Sequence, residues 1–294
     1  MNSVADADPG FLDREYNPRT RVPEFASYFA RWKDLGREAR NAARKSIRQS
    51  RRVHLDLRYG SAPAERLDLF QATGASSPLL IFVHGGYWRA LDKDDFSWVA
   101  PPYVAAGISV AVLNYGLAPA TPLMQIVEQV RRACGWLYHN ARALDLDAAR
   151  IVCSGHSAGG HLSAMMLATD WPGVWSGFPQ RLLTGAVAVS GLFDLEPLTR
   201  AEFLLHDLQL NPVMTRVLSP VHLRWRNDVP LLRAIGATES DEFHRQSRLI
   251  AQAWPQACER ELLEVPDANH FSVCDAFADS GSVLFKSTAG LLSH

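Results

Sequence analysis

Four short apolar runs narrow the folding options of this chain: LLIFV at 79–83, ISVAVL at 108–113, IVCS at 151–154 and AVAVS at 186–190. None contains a charge, and none alternates polar with apolar residues. A strand with one wet face alternates, so an unbroken run belongs to a strand covered on both faces, as in a parallel sheet flanked by helices. Strand-like patterns extend over 53–59, 65–70, 79–84, 108–114, 150–154, 185–190, 230–235 and 261–265. The first two do alternate (His54, Leu55, Asp56, Leu57, then Leu67, Asp68, Leu69), which suits an antiparallel hairpin at a sheet edge. Helical spacing falls between the later strands, at 123–143, 158–169, 241–254 and 272–291. The expectation is an α/β chain with one open, mostly parallel sheet and helices on both faces. Residues 196–228 are longer than a simple crossover needs and should form short helices that shape a pocket.

Ahead of the sheet, residues 1–22 are polar and mixed and read as an extended arm. Pro23 then opens a helical pattern in which Phe25, Tyr28, Phe29, Trp32, Leu35, Ala39, Ala43 and Ile47 recur at three- and four-residue steps. Ten basic and three acidic residues between 31 and 58 read as its solvated face. The division expected is an arm and helix over 1–52, packed on the core as a wall or cap, and a main domain over 53–294.

Composition excludes several classes. The chain has 294 residues, 47% hydrophobic and 21% charged, which is a globular composition rather than a disordered one. A net charge of −1 calls for no nucleic-acid partner. The uncharged stretch 96–127 is broken by Pro101, Pro102, Gly107, Gly116, Pro119 and Pro122, against a membrane span. Cys134, Cys153, Cys258 and Cys274 have no metal-binding or CxxC spacing, and the first residues lack a signal-peptide pattern, so a reducing cytoplasmic setting is expected. The sequence leaves room for a homodimer.

The chemistry concentrates at Gly155-His156-Ser157-Ala158-Gly159. This G-x-S-x-G follows an apolar strand and precedes a helical stretch, the context in which a sharp turn lifts the serine hydroxyl above the sheet. Glycines at its ends permit close backbone approach, and the Ala158 N–H opens a helix, where a developing oxyanion is favoured. One strand earlier, His84-Gly85-Gly86-Tyr87-Trp88 follows the 79–83 run. Its glycines let the N–H groups of Gly86 and Tyr87 turn toward the same place, and acyl transfer needs at least two such donors.

These motifs resemble the α/β-hydrolase superfamily, and within it the kynurenine formamidase (arylformamidase) branch and its esterase relatives. Asn114-Tyr115-Gly116-Leu117-Ala118-Pro119 is similar to the N-Y-x-L-A-P segment of the wider carboxylesterase group. The resemblance implies a serine hydrolase acting on small carboxylic esters or N-formyl or N-acyl arylamines through an acyl-serine, with no metal or organic cofactor. A catalytically inactive binding protein and an acyltransferase on the same fold are the alternatives.

The base expected is His270, which follows the last strand and opens the last helix. The acid should lie after the 230–235 strand, where Glu239 and Asp241 both qualify. If Ser240 caps the next helix, Asp241 sits in its first turn for dipole reasons alone. Alignment with the formamidase relatives also favours Glu239, where the animal enzymes have aspartate; Asp241 is the alternative, and Asp194, after the 185–190 strand, is a weaker rival. Trp88 and Phe271 are the expected substrate contacts.

Overall fold

The computed structural model describes residues 9–50, 52–226 and 228–293. Its centre is an eight-stranded sheet: β1 (Val53–Arg58), β2 (Arg66–Phe70), β3 (Ser77–Val83), β4 (Ser109–Leu113), β5 (Leu146–His156), β6 (Gly185–Val189), β7 (Leu231–Gly236) and β8 (Leu263–Val265). The order across the sheet is β1-β2-β4-β3-β5-β6-β7-β8. The β1–β2 and β2–β4 pairs are antiparallel and every other pair is parallel. The alternating patterns thus mark the antiparallel end of the sheet, with β1 outermost.

The unbroken runs work as expected, because consecutive side chains enter opposite layers. Leu79, Ile81 and Val83 join a core cluster with α5 (Leu123–Asn140) and α6 (Ala158–Leu167), whereas Leu80 and Phe82 join a second cluster on the other face. The second layer contains α3 (Phe25–Ser50), α4 (Ala100–Ala105), α11 (Val273–Ala278) and α12 (Val283–Gly290). The first is completed by α10 (Asp241–Ala253) and by short helices α7 (Trp171–Val174), α8 (Glu202–Leu208) and α9 (Pro212–Leu218). The last two occupy the long 196–228 connection.

Three expectations change. Residues 1–8 lie outside the described residues, but the rest of the supposed arm is helical: α1 (Pro9–Tyr16) and α2 (Pro18–Arg21). Leu12 and Tyr16, four apart, are both fully buried, and this single apolar pair is too short a pattern to read without its partner surface. The helix expected over 272–291 is two helices, interrupted where Gly281 N–H and Asp279 Oδ1 form a turn at 2.9 Å and Ser282 caps α12 through the Phe285 N–H at 2.9 Å. The basic run is not wholly a solvated face either. Arg40 is 5% exposed and ion-paired with the fully buried Asp68, which Lys93 also contacts at 3.0 Å. That cluster locks α3 to β2 and to the loop after β3, as a buried carboxylate requires.

Candidate active site

The expected residues arrive at one end of the sheet because each follows a parallel strand. Ser157 follows β5, Glu239 follows β7 and His270 follows β8. Ser157 has φ 56° and ψ −116°, a backbone conformation that costs a non-glycine residue energy and persists only when its surroundings enforce it. Here they do. A Cβ on Gly159 would lie 1.9 Å from the Val83 carbonyl oxygen, and one on Gly155 would lie 2.4 Å from Gly159 backbone. The Ser157 N–H is tied to the Val189 carbonyl of β6 at 2.8 Å.

Glu239 is 7% exposed as a residue, and its carboxylate is saturated with donors. Oε2 accepts from His270 Nδ1 at 2.5 Å. Oε1 accepts from Ser190 Oγ at 2.5 Å and from the Gly236 N–H at 2.8 Å. Three donors on one buried carboxylate fix its orientation. Asp241 lies apart from this network. It is exposed in the first turn of α10, whose cap is Ser240, accepting from Phe243 N–H at 3.4 Å.

His270 is held from a second side. His156 Nε2–H donates to the His270 carbonyl at 2.7 Å, and the rings are 4.8 Å apart. Burial, then the neighbouring His270, pushes the His156 imidazole well below its ordinary pKa. It is therefore a neutral brace. His84 braces the loop after β3 in the same manner, lying between the Gly85 carbonyl (2.9 Å) and Asn114 Oδ1 (3.3 Å), with Tyr115 stacked at 4.3 Å.

Ser157 and His270 open into one cavity of about 220 Å³. Gly86 and Tyr87 form one wall, and Phe29, Trp32 and Phe271 another. Asn17, Pro18, Arg19 and Phe203 close the mouth, so the N-terminal segment and α8 both contribute. Gly86 has φ +99°, and a Cβ there would meet the Ala90 carbonyl at 2.3 Å. Trp88, expected at the substrate, is instead fully buried behind this wall. Its ring packs edge-on against His161 at 5.0 Å, outside the cavity lining. Positive φ at both Tyr87 and Trp88 twists the loop so that the second ring turns inward.

Several participants left no readable trace in the sequence. Ser190 sits at the end of a hydrophobic strand, and only the fold shows that it faces Glu239. Tyr16 is another. Its hydroxyl donates to Glu242 Oε2 at 2.7 Å and its carbonyl accepts from the Tyr87 hydroxyl, linking α1 to α10 and to the cavity wall.

Comparison with known proteins places this geometry. The BD-FAE family model matches residues 67–172. The structure of a thioesterase candidate from a Silicibacter species superposes with a TM-score of 0.82 at 30% identity, covering 96% of this chain and 99% of that one. A Pyrobaculum calidifontis esterase has a TM-score of 0.69 at 16% identity over 97% of each chain, a likeness of fold alone. This is the α/β-hydrolase fold in its esterase form, and the protein is a hydrolase. Kynurenine formamidase of Danio rerio is 29% identical over 287 residues, 94% of this chain and 93% of its own length. That of Salmo salar is 31% identical over 239 residues, 76% of this chain and 77% of its own. The chain belongs to the kynurenine formamidase family.

Proposed function

We propose that Ser157, His270 and Glu239 form a catalytic triad that hydrolyses N-formyl arylamines and small carboxylic esters through an acyl-serine. The observation that carries this reading is the 2.5 Å contact between Glu239 and His270 beside the strained turn that presents Ser157 to the same cavity. With Nδ1–H bound to Glu239, His270 keeps Nε2 free as an acceptor. As Ser157 Oγ attacks the substrate carbonyl, Nε2 takes its proton, and Glu239 stabilises the imidazolium so formed. In this reading the hydrogen bond from Ser157 Oγ to His270 Nε2 is made in the reacting complex.

The N–H groups of Gly86, Tyr87 and Ala158 are the oxyanion donors in this reading. In support, none of the three has a backbone or side-chain acceptor among the described residues. The tetrahedral adduct collapses as His270 Nε2–H protonates the departing amine or alcohol, breaking the C–N or C–O bond. Water then attacks the acyl-serine, giving its proton to His270, and Ser157 recovers a proton as the acid leaves.

The aromatic walls and small volume suit an aryl group joined to a short acyl chain. Formyl transfer is favoured by the formamidase relatives, and ester cleavage by esterases such as LipC of Mycobacterium tuberculosis, 27% identical over 247 residues. Helices α2 and α3 serve as a fixed wall in this reading. Four free, buried cysteines suit a reducing cytoplasm.

The test is hydrolysis of N-formylkynurenine and of p-nitrophenyl acetate by the wild type and by Ser157→Ala. Both rates should fall by at least about 10³-fold in the variant. Turnover that survives the substitution would overturn the serine mechanism.

A further inference from the structure

The cavity mouth carries two guanidinium groups that the hydrolytic reading does not use. Arg19, on α2, lies with its Cζ 5.1 Å from the Phe25 ring centre and 5.6 Å from that of Phe29. Arg89, from the loop after β3, lies with its Cζ 5.7 Å from the Phe203 ring centre. Both side chains line the cavity that holds Ser157 and His270.

Their pairing differs. Arg89 donates to the Phe203 carbonyl at 2.7 Å and is ion-paired with Asp207. Arg19 has no carboxylate partner among the described residues, although Glu15 and Glu24 are close in sequence; Glu15 is engaged by Arg21 at 3.1 Å. Two cations and one carboxylate leave a single uncompensated positive charge at the opening. The two arginines also sense each other: burial, then the charge of Arg89, disfavours the cation on Arg19. A bound anion would relieve that repulsion.

We infer that Arg19, with Arg89 beside it, selects substrates that carry one carboxylate in addition to the bond to be cleaved. This rests on the serine-hydrolase reading and sharpens it. A guanidinium presents parallel N–H groups that fit a carboxylate, and stacking on Phe25 and Phe29 holds the plane of Arg19 in place before binding. One excess charge matches a monoanion better than a doubly charged phosphate. The cavity is small enough that an anion at its mouth belongs to the same molecule as the carbonyl at Ser157. Arg19 is a specificity residue here, not a catalytic one.

The experiment compares matched pairs: p-nitrophenyl acetate with its hemisuccinate analogue, and phenyl acetate with 3-acetoxybenzoate. These place the carboxylate on the acyl side or on the leaving group. In the wild type at low salt, at least one charged partner should have the higher kcat/KM. Arg19→Met keeps an apolar stem against the phenylalanines and should lower that preference about tenfold, mainly through KM. Arg19→Lys keeps charge without the fork and should fall between the two. Benzoate should inhibit the wild type better than benzyl alcohol or phenyl phosphate, and 0.5 M NaCl should narrow the preference. An unchanged preference in Arg19→Met overturns the proposal, as does discrimination against both charged substrates or tighter binding of phenyl phosphate. Fluorophosphonate labelling of Ser157 in each variant reports whether the site is assembled. Substrate turnover in Ser157→Ala would instead defeat the underlying hydrolytic reading, so the two failures are distinct.

Discussion

At the residue scale, the contact with His270 is what separates Glu239 from its neighbours in the proposed triad. Glu239→Gln retains the shape but cannot stabilise an imidazolium, and its amide can present N–H where the carboxylate accepted from His270. We expect kcat/KM to fall by about 10³-fold or more. Asp241→Asn, on the exposed first turn of α10, should change kcat/KM less than about twofold. An equal loss in both variants would reassign the acid. These roles were legible to different depths. Ser157 announces itself because a strained turn demands glycines in a fixed local pattern. Glu239 and Asp241 are two positions apart, and sequence ranks them only indirectly, through the capping role of Ser240 and the likeness to the formamidase relatives. Ser190 and Tyr16 were unreadable, because each contact spans tens to hundreds of residues.

At the element scale, the N-terminal helices help to build the cavity onto which Ser157 and His270 open. Leu12 is fully buried, and Tyr16 both fixes Tyr87 in the cavity wall and meets Glu242 on α10. Gln246 adds a further hydrogen bond to the Tyr16 hydroxyl at 3.0 Å. Leu12→Ala should therefore cost about 3 kcal/mol in urea unfolding and also reduce kcat/KM, by loosening Tyr87. If stability falls while kcat/KM is untouched, α1 is only a structural cover. The strands could be read from their apolar runs because their partners lie within one sheet. The helical content of 9–21 could not, because two turns reveal little amphipathic pattern and their stability comes from packing on α8 and α10.

At the scale of the whole molecule, buried imidazoles set the acid limit. Burial holds His161 down to about 4, and it also lowers His84 and His156. Once unfolded, each titrates near the ordinary value of about 6.5. Below that pH the unfolded chain binds protons that the native protein refuses, so stability is complete above about 6.5 and declines toward 4. Each histidine contributes up to about 1.4 kcal/mol per pH unit over that interval. The urea midpoint should drop between pH 7 and 5, while three of the ten imidazole resonances stay fixed in position over the same range. Identical midpoints, or titration of all ten, would refute this account.

Strand β8 has a consequence of its own. It spans only three residues, pairs with the rest of the sheet solely through β7, and leads directly into the loop bearing His270. Beyond it, Phe271 leans on Tyr28 and Phe29 of α3. On heating, this edge should detach before the central strands melt. Residual hydrolysis should thus vanish several degrees below the loss of far-ultraviolet ellipticity, and brief exposure in that interval should be reversed by cooling.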